Sequence, residues 1–181
     1  MQDSTWRLKD YVFAAFMTIG MVIAVLIVGP LAAFFPGLQL VAWGPFGGIF
    51  MTIGMARLQR KGSVALMIVP LALLLGAISP AITLYLTATS LLTESIIFFR
   101  GNYHSKGNRL LGNIVFFGSA APLGLLIAAY MVGGKFAELL TQPWIIVVMG
   151  IASCATGAIG WWLGELVIKQ LKRAGKLDAD L

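Results

Sequence analysis

The chain predicts an all-α integral membrane protein: six transmembrane helices in one bundle, with both termini cytoplasmic. Three observations carry that expectation. Its 181 residues are 59% hydrophobic and 11% charged, where a soluble domain carries about 25% charged residues, and mean hydropathy is +0.91. The basic residues, Lys135 excepted, fall into four clusters: Arg7 and Lys9; Arg57, Arg60 and Lys61; Arg100, Lys106 and Arg109; Lys169, Lys172, Arg173 and Lys176. The stretches between successive clusters have room for two crossings each, except that the last cluster follows Lys135 by one. Cytoplasmic loops concentrate Lys and Arg, so every second connection should be basic.

The spans follow in order. The first covers residues 11–34, with Gly29-Pro30 bending or breaking its outer end. An uncharged outer loop with Phe35, Pro36 and Gly37 leads to the second span, 40–56. Gly44-Pro45 and Gly47-Gly48 interrupt that span, predicting irregular backbone of the kind tolerated only where it is buried or lines a cavity. Spans three and four, 63–78 and 81–99, are short and turn at Ser79-Pro80. A single crossing there would strand Arg100, Lys106 and Arg109 outside, against the charge rule. The fifth span is 110–132 and the sixth 143–168, which continues as a basic cytoplasmic helix to Arg173 before a frayed end at 176–181. Six spans of about 20 residues use most of the length, leaving a single domain, 1–181. The first segment leads into further spans and reads as retained, with Ala32-Ala33 a weak cleavage candidate.

A net charge of +6 and a pI near 9.8 would point to nucleic acid in a soluble protein. Here the cations flank apolar spans, so topology and anionic headgroups account for them and no nucleic-acid partner is expected. Cys154 is the lone cysteine, which excludes an internal disulfide and a cysteine metal cluster. His104 is the lone histidine and reads as a solvated loop residue; no metal or cofactor is expected. Gly133-Gly134-Lys135 is followed by Phe136, so it is no Walker A motif, and any ATP-driven step belongs to another chain.

Two acidic residues lie within spans. Glu94 precedes Arg100 by six residues, about 9 Å below the inner boundary. A carboxylate at that depth should be paired or neutral, and its position predicts an ion pair with a nearby Arg or Lys or a part in subunit coupling, ahead of proton transfer. Glu165 precedes Lys169 by four residues and predicts a helical ion pair. Small residues let helices approach closely in lipid: Gly150, Ser153, Thr156, Gly157, Gly160 and Gly164 line the sixth span, and Ala14, Thr18, Gly20 and Ala24 the first. Packing within the bundle and docking of a partner subunit both fit such faces. The outer side gathers aromatic and polar residues without charge: Phe35, Gln39, Trp43, Ser79, Thr83, Tyr85, Tyr130, Gln142 and Trp144. Each fits an interfacial aromatic belt; as a set, with Gln39, Trp43, Thr83, Tyr85, Tyr130, Gln142 and Trp144 as its lining, they fit a small-molecule pocket.

Three stretches carry a family resemblance. Gly47-Gly48-Ile49-Phe50-Met51 leads to Ala56-Arg57; Leu91-Leu92-Thr93-Glu94 leads to Gly101-Asn102-Tyr103-His104-Ser105-Lys106; and Gln142-Pro143-Trp144 opens a glycine-rich span that ends in Leu171-Lys172-Arg173. In these the chain resembles the substrate-binding S components of energy-coupling factor (ECF) transporters, in their Trep_Strep (MptD-type) branch. Glu94 stands where that branch is expected to carry Asp. The resemblance implies a bacterial plasma-membrane subunit, not an enzyme, that captures a scarce micronutrient at the outer face. It then implies docking on a transmembrane T component driven by two ATPase subunits, with Ala14, Thr18, Gly20 and Ala24 on the docking face. A vitamin or vitamin precursor is the expected substrate. A tetrapyrrole such as heme is the runner-up, and would need Tyr130, Met131, Met149 or Cys154 as axial ligand. A small intramembrane enzyme and a stand-alone secondary transporter are the alternatives. The first needs two converging catalytic groups and the second embedded titratable residues, and beyond Glu94 the spans offer few.

Overall fold

A chain this apolar must divide the flank of each helix between its neighbours and lipid, because little of its surface suits water. The computed structural model describes residues 6–34 and 37–175, and every regular element among them is helical. Helix α1 (Leu8–Val28) tightens into a 3₁₀ turn (Gly29–Ala33), followed by α2 (Leu38–Leu58), α3 (Ser63–Gly76) and α4 (Pro80–Arg100). Then come α5 (Lys106–Met131), the short α6 (Lys135–Leu139) and α7 (Pro143–Arg173). Phe35, Pro36 and the tail 176–181 lie outside the described residues.

Helices α1, α2, α4, α5 and α7 are long and apolar enough to cross a membrane. Helix α3 has 14 residues and reaches about 21 Å at 1.5 Å per residue. Side-chain partners fix the direction of each helix. Gly20 and Met17 of α1 lie beside Phe50 and Gly54 of α2, so those two run antiparallel. Thr18 Oγ1 donates to Met67 O of α3 at 2.8 Å. Helices α3 and α4 form a hairpin closed at one end by Thr83 Oγ1 donating to Ala72 O (2.9 Å) and at the other by Val64 N donating to Glu94 (2.7 Å). Helices α5 and α7 are antiparallel, with Pro122 on Gly150 and Phe117 on Gly157. Helices α2 and α7 run parallel, with Gly44 on Thr156, Gly48 on Gly160 and Thr52 on Gly164.

The basic clusters meet at one end of this bundle. The Arg60 guanidinium lies 5.5 Å from the centre of the Trp6 ring, next to Arg7. Tyr103 N donates to Gln59 O at 3.2 Å, joining the connection after α2 to the connection after α4. Arg109 reaches Glu165 on α7, one turn before Lys169. Lys135, in α6, is at the opposite end. The interior is filled by Met21, Met51, Met55, Met67, Phe116 and Phe117, all fully buried, while Phe16, Ile23, Leu84, Leu91, Val148 and Ile151 point outward. Apolar side chains on both faces of the helices suit burial in hydrocarbon on one side and protein on the other.

Two local expectations are corrected. Helix α2 is continuous through Gly44-Pro45 and Gly47-Gly48, where broken backbone was expected. Those glycines serve packing, admitting α7 at Gly44 and Gly48 and the Trp43 indole at Gly47. Helix α5 begins four residues before the expected 110, because Ser105 caps it by accepting from Asn108 N at 3.1 Å.

Candidate functional site

At the end opposite the basic clusters, where α6 carries Lys135 and Glu138, the chain enters α2 through Gly37, whose φ of +91° suits glycine. A Cβ there would lie 2.8 Å from Leu125 Cδ2 and 3.2 Å from Met149 Cε, so the turn is pressed into the α5–α7 seam. One face of α2 then carries Gln39, Trp43 and Gly47 at four-residue spacing. Trp43 is buried and meets Phe116 and Phe117 edge-on, with ring centres 5.9 and 5.2 Å apart. A Cβ on Gly47 would sit 2.6 Å from Trp43 Nε1, so the glycine makes the room the indole N–H occupies. That N–H has no hydrogen-bond partner; neither has the buried Gln39 Oε1. Ser153 Oγ on α7, fully buried, is also unpartnered. The parallel register, Gly37 on Met149 and Gly44 on Thr156, sets Ser153 at the level between them. Unpaired buried polar atoms are costly and scarce in folded proteins. Three of the seven among the described residues, Gln39 Oε1, Trp43 Nε1 and Ser153 Oγ, lie in the half of the α2–α5–α7 seam away from the basic end; the others are Gln59 Nε2, Tyr103 Oη, Asn113 Oδ1 and Trp161 Nε1.

The seven residues expected to line a pocket divide. Gln39, Trp43 and Tyr85 turn inward, Tyr85 half-buried against Gly124. Thr83 is committed to the α3–α4 bond described above. Tyr130 (82% exposed) and Trp144 (62%) face out, and Gln142 is exposed at the N-cap of α7; these three sit as belt residues do. The heme ligand candidates divide too: Tyr130 and Met131 are exposed, while Met149 and Cys154 pack against Gly37 and Gly118. Ser153 was legible only as one small residue among many, and nothing in the sequence marks it as unpartnered.

The residues expected on a docking face are used inside the bundle. Ala14, Thr18, Gly20 and Ala24 are all buried; Thr18 bonds α3, and a Cβ on Gly20 would enter the Phe50 ring. The outward face of α1 is carried instead by bulky residues such as Phe16, Ile19 and Ile23. The small-residue face of α7 likewise closes on α2.

At the basic end two carboxylates have partners other than those expected. Glu94 accepts from Gly62 N (2.7 Å), Val64 N (2.7 Å) and Ala65 N (3.3 Å), so it caps the N-terminus of α3 where an ion pair with Arg or Lys was expected. Four N–H groups lack partners in any first helical turn, and the helix dipole favours an anion there. Tyr103 in the next loop is buried near this carboxylate; burial first, then the Glu94 charge, raise its phenol pKa far above the usual value. Replacing Glu94 by Gln leaves one acceptor and turns an amide N–H₂ toward donors. About 1.5–3 kcal/mol of stability should be lost, the worth of hydrogen bonds to a charged group, measurable by denaturant unfolding in micelles. Unchanged stability would refute the cap.

Glu165 pairs with Arg109 Nε at 2.7 Å, not with Lys169 as its spacing predicts, because Arg109 is buried beside it while Lys169 is exposed. Arg109 Nη1 also donates to Tyr103 O (3.0 Å) and His104 O (2.7 Å), holding the α4–α5 loop. Above it Asn113 donates to Thr52 Oγ1 (2.9 Å) and Arg109 O (3.0 Å). His104 is exposed, its Nδ1 3.0 Å from Gln59 Oε1. No group of three or more His, Cys, Asp or Glu that could hold a metal occurs among the described residues. The chain matches no family model, no curated protein and no solved structure.

Proposed function

We propose that the chain crosses the membrane six times, with α3 as a short crossing, and captures a small molecule for import at the end opposite the basic clusters. The alternation of helix direction and the collection of basic clusters at one end support the topology. Cytoplasmic placement of that end follows the charge rule. Single cysteines at Lys61, Lys106 and Lys135, in a Cys154→Ser background, test it: an impermeant thiol reagent on intact cells should label only Lys135→Cys. Labelling at either of the other two would overturn the topology.

The capture reading rests on one observation, the unpartnered Gln39 Oε1, Trp43 Nε1 and Ser153 Oγ in the outer seam. An acceptor, a donor and a hydroxyl that serves as both match a ligand edge carrying its own donors and acceptors. The neighbouring Phe116 and Phe117 rings suit an aromatic or heterocyclic body. With the resemblance to ECF S components this makes the chain a bacterial plasma-membrane capture subunit. It takes up a vitamin or vitamin precursor, partnered by a T component and two ATPases. Full-length protein should retain a small molecule through purification, identifiable by mass spectrometry. Trp43→Phe keeps the ring, removes the donor, and should weaken its binding about tenfold. A chain that retains no compound and associates with no ATPase complex would overturn the reading.

A further inference from the structure

Near the basic end, the outward face of α4 forms an open groove of about 340 Å³ lined by Leu91, Glu94, Ser95, Phe98 and Phe99. Its polar walls are already committed to backbone. Ser95 Oγ donates to Leu91 O at 2.8 Å, and the Glu94 carboxylate is turned to the N–H groups of α3. What remains open is apolar: Leu91, Phe98 and Phe99 are all exposed. At one wall stands a cation, since Lys61 Nζ lies 4.0 Å above the Phe98 ring while the residue stays exposed. A cation–π contact of this kind holds an ammonium in place without neutralising it. The positive end of α3 faces the same region but is already met by the Glu94 carboxylate, so Lys61 is the cation the groove offers a ligand.

An apolar trough on the outside of a membrane-embedded helix, ending at a fixed ammonium, has the head-and-tail character of one class of molecule. We propose that this groove binds an anionic phospholipid, with an acyl chain along Leu91, Phe98 and Phe99 and its phosphate paired with Lys61. Charge complementarity selects this occupant over a second copy of the chain, because the basic end of another copy would bring further cations to Lys61. The inference is independent of what the opposite end captures.

The test is native mass spectrometry of the full chain from detergent supplied with equal phosphatidylglycerol and phosphatidylcholine of matched chains. Phosphatidylglycerol should be retained preferentially. Lys61→Gln should reduce that preference about fivefold, the worth of one basic residue near anionic lipid, and Ser95→Trp, which fills the groove, should reduce lipid retention. Lys135→Gln at the other end should change neither. Lys61 is exposed and outside the helices, so its loss should leave the unfolding temperature unaltered. Equal retention of both lipids would overturn the proposal, as would equal effects of Lys61→Gln and Lys135→Gln. So would disulfide-linked dimers through Leu91→Cys in vesicles, which would make a second copy the occupant.

Discussion

Arg109→Met is expected to cost about 3–5 kcal/mol of stability, the range for removing one partner of a buried ion pair. The side chains of Arg109 and Glu165 are 6% and 13% exposed, so water cannot take over the carboxylate that is left. The Tyr103 and His104 carbonyls lose their donor in the same step. Arg109→Lys should recover only part of the loss, because a single ammonium cannot reproduce the planar fork that serves three acceptors on two elements. The double variant Arg109→Met, Glu165→Leu should be far more stable than Arg109→Met alone, since the uncompensated charge is gone. Denaturant unfolding in micelles measures all three. A loss below about 1 kcal/mol for Arg109→Met would mean the pair is screened like a surface salt bridge.

The bundle was legible because its cause is coarse. Apolar runs of membrane length and clusters of cations are properties of composition over tens of residues, and they place helices without needing any single contact. The alternation of α1 to α5 and the meeting of Arg57, Arg100 and Lys169 at one end follow from that pattern. Boundaries failed where one side chain decides them: Ser105 starts α5 early by capping it, and Gly44 and Gly47 allow close packing where their composition read as helix breaking.

Partner assignments were much less legible, for a geometric reason. Spacing along one helix brings Glu165 to Lys169, yet a buried cation on the neighbouring helix competes better than an exposed one on the same helix. Only the α5–α7 register reveals Arg109 as that cation. Glu94 misled in the same way: depth in the membrane demanded a partner, and a cation was the evident choice among side chains. The three N–H groups of a helix terminus carry no sequence signature. The outer residues divided because Tyr130 and Trp144 have the same composition as Trp43 and Tyr85, and only helix rotation separates belt from interior.

Gly160→Val should destabilise the isolated chain by about 3 kcal/mol, the upper end of the usual range for overpacking. A Cβ at Gly160 would press on Gly44 O and lie 2.8 Å from Gly48 Cα and 3.1 Å from Pro45 O. All three are backbone atoms of a continuous helix, so nothing can rotate aside and α2 must move away from α7. That separation would also loosen Gly164 from Thr52, two residues in close approach one turn further on. Gly107→Ala is the control, since a Cβ there meets nothing within 4 Å; in the first turn of α5 it should be neutral or stabilising by up to about 1 kcal/mol. The experiment also separates the two uses of a small-residue face. If Gly160 served docking of a partner rather than the α2–α7 seam, the variant would unfold like the parent and fail only in assembly, whereas closure within the bundle requires the isolated chain itself to weaken.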